Sequence, residues 1–126
     1  MKKVIATDQA PGAVGPYSQA LKFGNIIHTS GQLPINPETK EMPESIEEQT
    51  RQSLLNVKAI LASEGYEMSD IVKTLVLLDD INEFGQMNGV YAEFFEQPYP
   101  ARSAFEVAKL PLGAKVEIEV IAYKEQ

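Results

Sequence analysis

The chain has 126 residues, 44% hydrophobic and 23% charged, with 18 acidic against 11 basic side chains and a formal net charge of −7. That size suits a single domain, 1–126, burying roughly two thirds of its unfolded surface around one core, and the composition is that of a folded globular protein. The negative balance repels phosphate backbones and so disfavours nucleic acid as a partner, while the lack of cysteine and the presence of one histidine, His28, exclude disulfides, thiol nucleophiles and a multi-histidine zinc site within one chain.

The start, "MKKVIATDQAPG", has the basic residues of a signal peptide without the apolar stretch that should follow, and no apolar run approaches membrane-spanning length. No membrane partner and a cytoplasmic location are therefore expected. "KKVIAT" reads as a short strand ended by the Pro- and Gly-rich "APGAVGPYS". "SQALKF" and "IIHTSG" flank "GN", a dipeptide suited to a tight hairpin turn. After the loop "QLPINPETKEMPE", Ser45 and Glu48 stand at capping-box spacing, and Ile46, Thr50, Leu54, Val57, Ile60 and Leu61 recur every three or four residues. This predicts a helix from about 46 to Glu64, ended by Gly65.

The β-branched run Ile71 to Leu78 reads as a buried strand. Asp80 and Glu83 resemble another helix start, followed by Phe84, Met87, Tyr91, Phe94 and Phe95 at helical spacing before Pro98. "RSAFEVAKL" and "AKVEIEVIAY" are two last strands joined by the turn-forming "PLG". The order predicts an α+β fold, a mixed β-sheet with two helices on one face. Alternation puts Phe105 and Val107 with Val116, Ile118, Val120 and Ala122 toward the helices, and leaves Glu117, Glu119, Ile121 and Tyr123 on the other face. Such a mixture of carboxylates and apolar groups is suited to being covered by another subunit.

Arg102, in "PYPARSAFEVAK", is one of two arginines in the chain. Its planar fork grips a carboxylate with two hydrogen bonds, and the preceding prolines give it a rigid base. A small-acid site there competes with a plain ion pair to Glu117 or Glu119. Glu117 could be a general acid, a water-orienting base or a solvent-facing carboxylate, and Tyr17 a ligand contact or a packed loop aromatic. Ser30 and Gly31 could offer backbone donors or merely end a strand, and Asn88 could line a site or the surface. His28, within an apolar strand, reads as a structural histidine. Phosphate loops, HExxH, nucleophile elbows and dinucleotide fingerprints are absent from the sequence, so chemistry without a bound cofactor is expected.

Together "GAVGPYSQAL", "IIHTSGQLPINPETKE", "QTRQSLLNVKAILASEGY", "IVKTLVLLDDINEFGQMNGVYAEFF" and "PARSAFEVAKLP…VEIEVIAY" resemble the YjgF/RidA family of enamine/imine deaminases over almost the full length. The resemblance implies a chorismate-mutase-like homotrimer whose sheets line an inner barrel, with ligand clefts between subunits. It implies hydrolysis of imines derived from 2-aminoacrylate and 2-aminocrotonate to pyruvate or 2-oxobutanoate and ammonia, a metabolite damage-control role. On that resemblance Arg102 grips the substrate carboxylate, Glu117 positions water, and Tyr17, Ser30, Gly31, Asn88 and Ala104 line the cleft, with no metal. Ala104 stands where many members carry a cysteine, which is not the nucleophile in the family's scheme, so the implied activity is retained. The segment before "PARS" is short. Regulation by small 2-oxo acids without catalysis, and ribonuclease or translation-inhibitor activity, are the competing readings.

Overall fold

A computed structural model describes residues 1–125. Its single sheet has six strands: β1 Lys3–Ile5, β2 Ala20–Phe23, β3 Ile26–Thr29, β4 Ile71–Leu78, β5 Ala101–Glu106 and β6 Val116–Tyr123, in the order β1-β2-β3-β6-β4-β5. β4 and β5 are parallel, whereas every other neighbouring pair is antiparallel. The helices are α1, Ile46–Ala62, and α2, Phe84–Tyr91. Among the described residues no helix is long and apolar enough to cross a membrane.

Local chemistry explains the element ends. β2 and β3 join through Gly24 and Asn25, and Gly24 takes φ +60°, a conformation open to a residue without a side chain. Ser45 Oγ accepts the Glu48 N–H at 3.1 Å and satisfies one orphan donor of α1. That helix stops at Ala62, slightly before the expected Glu64, and Gly65 turns the chain at φ +77°. Asp80 caps a 3-10 turn, Ile81–Glu83, and α2 begins only at Phe84.

The expected apolar stripe of α1 is buried at Ile46, Leu54, Val57, Ile60 and Leu61, facing Val116, Ile118, Val120 and Ala122 of β6 across the core. Burying one such side chain contributes about 1.5–3 kcal/mol, so these positions dominate the stability of the fold. The buried polar side chains of α1 hold the loop before it. Asn56 donates to the carbonyls of Leu33 and Ile35, and Gln49 donates to Pro43 O while accepting the Lys115 N–H.

The Pro111–Gly113 turn lies between β5 and β6 in the chain as expected, and the two strands are not neighbours in the sheet: β4 lies between them and β5 returns parallel to β4. A parallel pair needs a crossover, and α2 is that crossover. Phe105 does not join the core: it is 49% exposed, and Ala104 packs inward instead. The register of β5 is set by its pairing with β4, so the alternation of apolar letters within β5 misassigns its faces.

Candidate functional site

Sheet register divides the functional side chains into two groups. Arg102 pairs with Thr74 of β4, whose hydroxyl is buried against Tyr91 of α2, so Arg102 lies on the helix side at the sheet edge. Glu117 pairs with Leu77, three residues further along β4 and therefore on the opposite, helix-free side. Within one chain the arginine and the glutamate are separated by the sheet.

On the helix side, α2 presents Phe84, Asn88 and Tyr91 along one stripe to the exposed Arg102. Arg102 Nη1 donates to Asn88 Oδ1 at 2.7 Å, and its Cζ lies 4.7 Å from the Tyr91 ring centroid and 5.3 Å from that of Phe84. These contacts orient the guanidinium without neutralising it, since no carboxylate pairs with it among the described residues. The expected alternative of an ion pair with Glu117 or Glu119 is not what forms. Burial raises the Tyr91 hydroxyl above the usual phenol range, against the lowering influence of Thr74 and Arg102, so it serves as a neutral bridge to Thr74 at 2.8 Å. Ala104 lies two residues from Arg102 on the same face, where its methyl group packs on the core.

On the open side, Glu117 lies against Gly31. A Cβ built on Gly31 would stand 2.5 Å from Glu117 Oε1 and 2.9 Å from its Cγ, so the absent side chain is what admits the glutamate. The Glu117 carboxylate has no hydrogen-bond or ionic partner among the described residues. Burial, and then the charge of Glu119, push it above the ordinary glutamate range. Ser30 spends its N–H on Gln19 O at 2.8 Å and its hydroxyl on Ser18 O at 2.6 Å, while the Gln32 N–H goes to Ile118 O at 2.7 Å. Gly31 N–H is thus the donor of this segment that has no partner among the described residues. Tyr17, Ser30 and Gly31 share a groove of about 700 Å³ with His28 and Glu119. Tyr17 is 51% exposed there, not packed away.

Two parts of this arrangement escape the sequence. His28 is not an enclosed structural histidine: its side chain is 44% exposed, with Nε2 3.9 Å from Glu119 Oε2. The pairing of β3 with β6, which puts His28 opposite Ile121, carries that information. The aromatic shelf under Arg102 was legible only as an apolar stripe on α2. Among the described residues no cluster of three or more histidine or acidic side chains could hold a metal ion.

The Gly31–Glu117 contact gives a direct prediction. Gly31→Ala should fold normally, because the obstructing atoms belong to a movable side chain, but it must displace the carboxylate. If Glu117 serves in catalysis, a shift of about 1 Å in its carboxylate corresponds to a loss of about tenfold to a hundredfold in rate. Parallel measurements of melting temperature and turnover check it, and an unchanged turnover contradicts a role for this contact.

A family model described as Endoribonuclease L-PSP matches residues 7–124. The 2-iminobutanoate/2-iminopropanoate deaminase of Escherichia coli is 50% identical, the alignment covering 98% of this chain and 99% of that protein. A RutC family protein of Pyrococcus horikoshii is 52% identical over 99% of this chain and all of its own length. The crystal structure of Escherichia coli TdcF with bound serine superposes with a TM-score of 0.94 at 45% identity, covering 98% of this chain and 99% of that one. The YjgF gene product of the same organism gives 0.94 at 50% identity, with the same coverage. With an α+β fold and a sequence matched almost from end to end, the chain belongs to the YjgF/RidA family.

Proposed function

We propose that this protein is an enzyme, a hydrolase acting on C–N bonds that converts 2-iminobutanoate and 2-iminopropanoate to 2-oxobutanoate and pyruvate with release of ammonia. The observation that carries this reading is the pair of unsatisfied groups: a guanidinium fork held on α2 without a carboxylate partner, and a partly desolvated glutamate packed on Gly31. The half-identical Escherichia coli deaminase supports the reaction, and the serine bound to TdcF supports a small amino-acid-like ligand.

Because Arg102 and Glu117 face opposite sides of one sheet, each active site is built from two copies of the chain. A homotrimer with its open sheet faces turned inward as a barrel covers Leu75, Leu77, Phe105 and Ile121, which one protomer leaves at its surface. Each protomer is one domain and contributes Arg102, Asn88 and Ala104 to one cleft and Tyr17, Ser30, Gly31 and Glu117 to the next.

In that cleft Arg102 takes the substrate carboxylate in two-point contact and fixes the imine carbon. The Gly31 N–H and the Tyr17 hydroxyl supply further donors. Glu117 accepts a proton from water as the water oxygen bonds to the carbon of the N-protonated imine, C=NH2+, and the C=N electron pair moves to nitrogen. The resulting carbinolamine carries –OH and –NH2 on one carbon. Proton return to nitrogen lets ammonia leave as the hydroxyl oxygen becomes the 2-oxo group and gives up its own proton. Free imines already react with water, so positioning and charge stabilisation suffice. Destruction of these reactive imines is a damage-control role.

Threonine dehydratase with threonine supplies the imine for a test. Addition of this protein should accelerate 2-oxobutanoate formation. A sensor of 2-oxo acids would bind 2-oxobutanoate through the same fork and leave that rate unchanged. The ribonuclease named in the family description, and translation inhibition, are disfavoured by the −7 charge and the two arginines. Salt-dependent RNA binding by the purified protein would favour them.

A further inference from the structure

Three ionisable side chains line up on the open sheet face. Glu117 and Glu119 project from the same side of β6, and His28 reaches Glu119 diagonally from β3. His28 Nδ1 lies 3.1 Å from Thr29 O. A carbonyl oxygen only accepts, so Nδ1 carries the proton, and Nε2 is the nitrogen turned to Glu119, 3.9 Å from Oε2. In neutral His28 this nitrogen offers a lone pair to a carboxylate, an unfavourable pairing. A proton on Nε2 converts it into a charge-assisted contact.

The other charged group on this face near the pair is Lys73 of β4, opposite Ile121, and its Nζ is turned to Ser103 Oγ at 2.8 Å. Leu75 and Leu77 of β4 lie directly beside Glu119 and Glu117, Leu21 of β2 lies beside His28, and Tyr17 closes the groove. Among the described residues His28 is therefore the basic side chain that meets Glu119, and Glu119 is the charge beside Glu117.

We infer that His28 and Glu119 are positioning residues for the proposed hydrolysis, His28 acting through Glu119 to set the charge felt by the Glu117 carboxylate. The inference rests on the deaminase reading for its catalytic meaning. When His28 is protonated it offsets Glu119, and Glu117 ionises more readily. When His28 is neutral, Glu119 opposes that ionisation.

The test is the pH profile of kcat/KM together with a carbon-13 NMR titration of the Glu117 carboxyl, in wild type, His28→Gln, Glu119→Gln and the double variant. Glu119→Gln should move the acid limb and the Glu117 titration to lower pH, and His28→Gln should move both to higher pH, each by about half a unit. The double variant should behave as Glu119→Gln alone, because His28 acts through that carboxylate. Displacement of both single variants in the same direction, or of neither, overturns the inference. If the NMR titrations move as stated while the wild type hydrolyses no imine, the electrostatic link stands and the deaminase reading falls.

Discussion

Replacing Arg102 with alanine is expected to lower kcat/KM for imine hydrolysis by at least about a hundredfold while leaving the fold and assembly intact. Two charge-assisted hydrogen bonds to a carboxylate at about 1.5 kcal/mol or more each correspond to roughly two decades in rate. The stability consequence is small because the side chain is exposed and hydrogen-bonded to Asn88, itself exposed on α2. Arg102→Lys separates charge from geometry. It keeps the cation but loses the fork and the guanidinium's place over the Tyr91 ring, so an intermediate loss of about tenfold is expected. Steady-state kinetics with dehydratase-generated imine read both variants, and wild-type kinetics for the lysine variant would show that only the charge matters.

Replacing Glu117 with glutamine should have a different signature. The chemical step should slow by about a hundredfold to ten-thousandfold, the usual contribution of a positioned acid–base group, while binding of 2-oxobutanoate changes little. Stability should move the opposite way. Burial and the Glu119 charge raise the folded-state pKa of Glu117, so the folded state holds that proton more tightly than the unfolded chain. Folding is then most favoured by this group below its unfolded pKa and is progressively penalised as pH rises through the folded pKa. Glutamine carries no such penalty. Glu117→Gln should melt above wild type at pH 7.5 and lose that advantage toward pH 4. A lower melting temperature at pH 7.5 would contradict the unpaired state of the carboxylate.

How far these side chains are legible in the sequence depends on the range of the interaction. Ser45, Gly65 and the Ile46–Leu61 stripe act within a few residues of themselves, so α1 is read nearly to its ends. The alternation along β6 likewise separates Val116 from Glu117 without further information. β5 is different, because its faces and neighbours are fixed by β4 and by the crossover through α2, contacts between residues far apart in sequence. That is why the alternation within β5 misplaces Phe105 and leaves Arg102 a choice of Glu117 or Glu119. The shelf of Phe84, Asn88 and Tyr91 and the His28–Glu119 contact arise from tertiary juxtaposition in the same way. Family resemblance names Arg102, Glu117 and Asn88. The structure adds that the first two cannot meet within one protomer.

Subunit complementation tests that separation most directly. Arg102→Ala and Glu117→Gln chains, each inactive alone, are co-expressed in equal amounts so that they assemble at random. If the chain forms the proposed homotrimer and each cleft takes its arginine from one protomer and its glutamate from the next, every mixed trimer contains one intact cleft, and the population should recover about a quarter of the wild-type rate. A mixture no more active than the two variants assayed separately would mean that both groups serve the same cleft from a single chain.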